Sequence, residues 1–108
     1  MTNTKPTERT FVGTPPYTVT FDGRPLEHRG GHSRDFCWGY GGSGPADLAF
    51  SIIAAMIPEA VDDVVREIAY QFKWEIVAKL PQDKAWILTH HQVRNWIALW
   101  HKEAEHAE

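Results

Sequence analysis

The sequence predicts an α+β domain, a small antiparallel sheet or hairpin packed with three helices, and three observations predict it. An alternating segment, YTVTF, runs into Asp22-Gly23, a pair that favours a tight hairpin turn because both residues tolerate positive φ. The run LAFSIIAAMI is apolar nearly all round, as in a helix buried on most sides. Two further segments, from Pro58 to Pro81 and from Thr89 onward, repeat apolar residues at spacings of three and four, the period of a helix with one buried face. Strands followed by helices in this order give a layered α+β arrangement.

Residues 1–10 are polar without a period and read as a flexible tail ahead of one compact domain over residues 11–102, with 103–108 fraying. Tyr17, Val19 and Phe21 share one face of a first strand. Arg24, Pro25 and Leu26 form a second, and Pro25, which has no N–H for a ladder, places it at an edge. Residues 27–34 read as a loop and 35–38 as a short strand that ends at the glycines. Gly44 is then the N-cap of the central helix, Pro45 its first residue and Asp47 an acid of its first turn.

Pro58 breaks the apolar run and opens the second helix, whose stripe is Val61, Val65, Ile68, Phe72, Ile76 and Leu80. Asp62, Asp63, Arg66, Glu67, Lys73 and Lys79 occupy much of its other face. Pro81 ends it, AWIL is a short strand, and Thr89 with Gln92 has the spacing of a capping box. The third helix carries a stripe of Val93, Trp96, Ile97 and Trp100.

With 108 residues, 43% of them hydrophobic, the chain suffices for one small core. Its single cysteine makes no internal disulfide, and no apolar run approaches the roughly 18–20 residues that cross a membrane. The N-terminus MTNTKPTERT lacks the apolar segment of a secretory signal, so a soluble cytoplasmic protein is expected. The net charge of −3 is concentrated in the middle of the chain. A basic cluster of Arg24, His28, Arg29, His32 and Arg34 lies before it, far short of the broad positive field of a duplex binder.

The segments VTFDGRPLEHR, FCWGYGGSGPADLAFSIIA, YQFKWEIVAKLP and WILTHHQVRNWI resemble a family of small bacterial and phage proteins that form a domain of unknown function. The similarity runs collinearly over about residues 17–97 and is most specific at WGYGGSGP, Trp38 to Pro45. It implies no catalytic residues. For a phage-encoded member it implies a binder that inhibits a host protein or a bacterial defence complex, an anti-CRISPR protein being one such case.

The glycine loop itself supports two readings. Backbone amides at Gly41, Gly42, Ser43 and Gly44 can form a phosphate-binding nest at a helix N-terminus, or the loop can be a self-capped turn. The phosphate motif with its lysine is lacking, and Asp47 adds negative charge nearby. Cys37, with His28, His32 and Asp35 close in sequence, has the residue types of a thiol nucleophile and base. Flanked by Phe36 and Trp38, it equally fits a small buried hydrophobe. The six histidines show no metal-ligand spacing, and Asp62-Asp63 suits a helix start better than a pair of catalytic acids. On the last helix Arg94, Asn95 and Lys102 have the chemistry of base and phosphate contacts, although a strand precedes that helix.

With no closed catalytic constellation and five tryptophans, the expected function is a non-enzymatic protein-interaction module, with Arg24, Arg29, Arg34, Trp38 and Tyr40 as contact candidates. The expected partner is another protein or protein complex, with no cofactor, no metal and no membrane. The alternatives are a phosphate- or nucleotide-binding protein or small enzyme built on the glycine loop, and a nucleic-acid-binding accessory protein.

Overall fold

The computed structural model describes residues 9–106. Strands β1 (Thr10–Thr14), β2 (Thr18–Phe21), β3 (Arg24–Pro25) and β4 (Trp86–Thr89) form one antiparallel sheet in the order β3-β2-β1-β4. With the helices α1 (Ser43–Met56), α2 (Asp62–Glu75) and α3 (His90–His106), the fold is α+β as the sequence predicts. The turn at Asp22-Gly23 forms with both residues at positive φ, 56° and 81°, and places Phe21 opposite Arg24. β3 is an edge strand, where Pro25 interrupts no second ladder.

The central strand is the one that the sequence pattern does not announce. β1 pairs with β2 through Phe11 and Phe21 and with β4 through Phe11 and Leu88. Its Gly13 lies under the Trp86 indole so closely that a Cβ would occupy the ring's position. Thr10, expected in the tail, opens this strand, and Arg9 is ion-paired with Asp22. The remainder of that tail, residues 1–8, lies outside the described residues. Tyr17, expected on the strand face with Val19 and Phe21, belongs to the turn between β1 and β2 and is exposed.

Residues 35–38 are not a strand. They belong to a long irregular segment between β3 and α1, and Phe36 and Trp38 are buried by packing rather than by sheet pairing. α1 starts at Ser43 with Gly42 as N-cap, which moves Asp47 beyond the first turn. Most of this helix is buried, as its all-round apolar sequence requires. α2 starts at Asp62 rather than Pro58: the Ala60 amide donates to the Ile57 carbonyl and closes a turn through Pro58, and the N-cap Val61 carbonyl then accepts the amides of Val64 and Val65 as the first bonds of the helix. Asp62 and Asp63 do occupy its first turn. It ends at Glu75, and a short 3-10 turn over Val77–Lys79 completes the segment.

The capping box forms as the spacing predicts. The Gln92 amide donates to Thr89 Oγ1 at 3.0 Å, and the Thr89 amide donates to Gln92 Oε1 at 2.9 Å. α3 runs to His106, and residues 107 and 108 of the tail expected from 103 lie outside the described residues. The core joins Phe11 of the sheet, Leu48, Ile52 and Ile53 of α1, Phe72 of α2 and Val93 of α3. Trp38 meets Trp86 edge-on, ring centroids 5.5 Å apart, and closes one end of it. No helix among the described residues is long and apolar enough to cross a membrane.

Candidate functional site

Asp47 organises the surface around α1. An acid on a helix with no polar face must be buried, and a buried carboxylate needs donors. Asp47 is 0% exposed, and the segment from His28 to Ser33 wraps around it. Oδ2 accepts the His32 and Ser33 amides at 2.9 Å each and His28 Nε2 at 2.9 Å, with Ser33 Oγ at 3.1 Å. Oδ1 faces His32 Nδ1 at 3.2 Å. Burial alone would raise the Asp47 pKa, but the hydrogen bonds from His28, Ser33 and His32 outweigh it and hold the carboxyl below its ordinary value. Gly30 passes at φ 103°, where a Cβ would stand 2.5 Å from Asp47 Oδ1. One helical turn on, Ser51 Oγ accepts the Arg29 amide at 2.8 Å, so both ends of the wrap are fixed to α1.

This anchoring sets the position of Arg29. Its guanidinium stands 5.7 Å from the Phe50 ring centre and bonds to Asp62 at 3.0 Å. Arg66 approaches the same ring at 5.5 Å. On the α1 and α2 side of Phe50 is a cleft of about 170 Å³. Ala46, Phe50 and Ala69 supply its apolar lining, and His32, Arg66, Tyr70 and Lys73 its polar groups. Lys73 Nζ lies 5.3 Å from the Tyr70 ring and 4.4 Å from the Trp74 ring. Tyr70 is 62% exposed and Trp74 46%. Arg29 also lines a second cleft of about 320 Å³, shared with Arg24, Phe21, Leu26 and Pro58. Arg24 and Arg29 thus line one cleft with Glu27, and Arg66 and Lys73 line the other, while Asp62 and Asp63 pair with Arg29 and Arg66; this row of four cations, interleaved with those carboxylates, is the cationic band, and exposed aromatic rings lie at its Lys73 end.

The structure sorts the residues singled out from the sequence. Arg24 and Arg29 share a cleft, while Arg34 is exposed on the loop and lines neither cleft of the band. Trp38, expected as a contact candidate, is 2% exposed and packs on Trp86 in the core. Tyr40 is half-exposed at a separate cleft beside Tyr17 and Cys37. Its phenol pKa is raised, first by the hydrogen bond with the Cys37 side chain and then by burial. Among the described residues no histidine bonds to Cys37; His28 and His32 are committed to Asp47 instead.

The glycines of the loop answer to packing. Gly41 lies against the Trp74 ring and Gly42 against Tyr40, while a Cβ on Gly44 would stand 2.8 Å from Cys37 Cβ. Ser43 is exposed, and no side-chain cap bonds at this helix start. On α3, Arg94 bonds to His90 Nδ1 at 2.9 Å and Asn95 to His91 Nε2 at 3.2 Å, each one turn back; Lys102 is exposed. The element before α3 is β4, so a helix-turn-helix does not form there. Among the described residues no group of three or more His, Cys, Asp or Glu is placed to hold a metal ion.

Sequence reasoning missed the anchoring by Asp47 and the placement of Arg66, Tyr70 and Lys73 in one cleft with Trp74 beside Lys73. A signal for each was present. Asp47 is a charge on a helix otherwise apolar all round, and Tyr70 and Trp74 are large rings on the polar side of an amphipathic helix. In comparisons with known proteins, residues 7–99 match the model of a family described as a family of unknown function (DUF6166). No curated protein and no solved structure matches the chain.

Proposed function

The chain belongs to the DUF6166 family, and from that premise we propose that this member is a non-enzymatic protein-binding module that docks an acidic partner surface on its cationic band. The observation that carries the reading is the placement of Arg24 and Arg29 in one cleft and Arg66 and Lys73 in another, with Arg29 and Arg66 over the same Phe50 ring and Tyr70 and Trp74 exposed nearby. Arginine and large aromatic rings are the residue types that most often anchor protein interfaces, since they combine contact area with directional polar groups. The finer reading is a bacterial or phage origin and a cytoplasmic inhibitor of a host or defence complex, which the resemblance at WGYGGSGP motivates.

Charge reversal tests the docking face. Replacing Arg24 and Arg29 together with Glu is expected to weaken partner capture by at least about tenfold, because like charges then face the partner. It is expected to lower the melting temperature only modestly, through the partly exposed Arg29–Asp62 pair. Trp96→Ala should do the reverse, since Trp96 packs edge-on to Phe72 at 5.1 Å and donates to Glu75 at 2.9 Å. Paired capture and melting measurements on the two variants check this. Normal capture by the arginine variant would overturn the proposed face.

A further inference from the structure

We infer, on the reading that the chain binds a partner protein, that the cleft between α1 and α2 takes a short acidic peptide segment of that partner. One apolar side chain of the segment sits on Ala46, Phe50 and Ala69, and a neighbouring carboxylate meets Arg66 and Lys73. Size selects the occupant first. About 170 Å³ accommodates one side chain, whereas pockets for whole small molecules typically measure about 300–1,000 Å³. A nucleotide would have to leave either its base or its phosphates outside the cleft.

Charge selects the rest. Lys73 has no carboxylate within 4.0 Å among the described residues, and its ammonium lies near the faces of two aromatic rings instead. Arg66 has only Asp63, at 3.5 Å and with that side chain 97% exposed, a pair of little strength that a bound carboxylate readily replaces. The one carboxylate in the lining, Asp47, is already surrounded by donors from His28, His32 and Ser33, which offset its charge toward an incoming anion. His32 completes the lining with Nδ1 on Asp47 and Nε2 without a protein partner among the described residues. The apolar lining separates this site from a simple anion site, since phosphate or sulfate would leave Phe50 and Ala69 uncovered.

The test uses the full isotope-labelled chain and follows the amide signals of Gly30, Ala46, Ala69 and Tyr70 during titration. The probe is the blocked tripeptide acetyl-Asp-Phe-Asp-amide, compared with acetyl-Asn-Phe-Asn-amide, acetyl-Asp-Gly-Asp-amide and adenosine monophosphate. The acidic aromatic peptide is expected to give saturable shifts in the millimolar range, as suits a ligand with one anchor. Either control peptide should bind at least about fivefold more weakly, the loss of a paired charge or of a buried ring. Lys73→Glu should abolish the response, and Lys73→Gln, which cannot repel the peptide, should weaken it.

Equal responses to the three peptides, or tighter binding of adenosine monophosphate than of the acidic peptide, would overturn the inference. Failure of the peptide while partner capture still depends on Arg24 and Arg29 removes this inference alone. Capture that ignores those arginines removes the parent reading.

Discussion

Asp47→Ala is expected to cost about 3–5 kcal/mol of stability, the range seen when one partner of a buried charged network is deleted. A small domain has about 5–15 kcal/mol in total, so the melting temperature should fall by on the order of 15 °C or more. The reason is local and specific. The His32 and Ser33 amides and the His28 ring lose their acceptor at once, and the buried space that Asp47 leaves inside the wrap offers them no equal substitute. Asp47→Asn should recover only part of the loss, because an amide keeps one acceptor oxygen and turns an NH2 toward donors. His32→Ala should cost far less, as that side chain is largely exposed.

The same carboxylate gives the stability a pH dependence with a definite sign. The folded-state pKa of Asp47 is depressed, so the unfolded chain binds a proton that the folded chain refuses. Its contribution is complete above the ordinary aspartate value of about 3.9 and is lost as pH falls through the lower folded value. His90 adds a loss in a higher window. Burial first, and then Arg94 and Arg9, lower its pKa, so stability declines as pH falls from the ordinary histidine value toward the depressed one. Denaturant midpoints followed from pH 8 down to about pH 2 should show both slopes, with the acidic one reduced in Asp47→Asn.

Trp38→Ala is expected to cost about 3–5 kcal/mol, the usual range for removing a large buried ring. Trp38 is 2% exposed and in edge contact with Trp86, which in turn covers Gly13 of β1, so the cavity opens where the sheet meets the loop. Trp74→Ala, by contrast, should change stability by no more than about 1 kcal/mol and should weaken partner capture, since Trp74 is exposed beside Lys73. Urea midpoints and capture assays on the two variants separate a core tryptophan from a contact tryptophan. A Trp38→Ala protein of normal stability would contradict the core assignment.

What the sequence made legible was local. Asp22-Gly23, the Thr89 and Gln92 box and the all-round apolar run each announce their structure within a few residues, and each forms. β1 was hidden because its alternation is broken at Gly13 and one of its partners, β4, lies at the far end of the chain. Residues 35–38 imitated a strand because Phe36 and Trp38 are both buried two apart, a period that a packed loop can also produce. The candidate site divides the same way. Arg24 and Arg29 were visible as a basic cluster, but helical periodicity says only that Arg66 and Lys73 face outward, not that they face the loop held by Asp47. Trp38 was misplaced for a related reason: composition counts tryptophans without saying which are covered.

Site-specific photocrosslinking tests the docking face most directly. A benzoylphenylalanine in place of Tyr70, and separately in place of the equally exposed Ile87 of β4, would be irradiated with bacterial lysate at matched concentrations. A discrete protein adduct is expected from position 70, absent from position 87, competed by excess wild-type chain and not by the Lys73→Glu variant. An adduct formed equally from both positions, or one that Lys73→Glu competes as well as wild type, would contradict the assignment of the cationic band as the binding face.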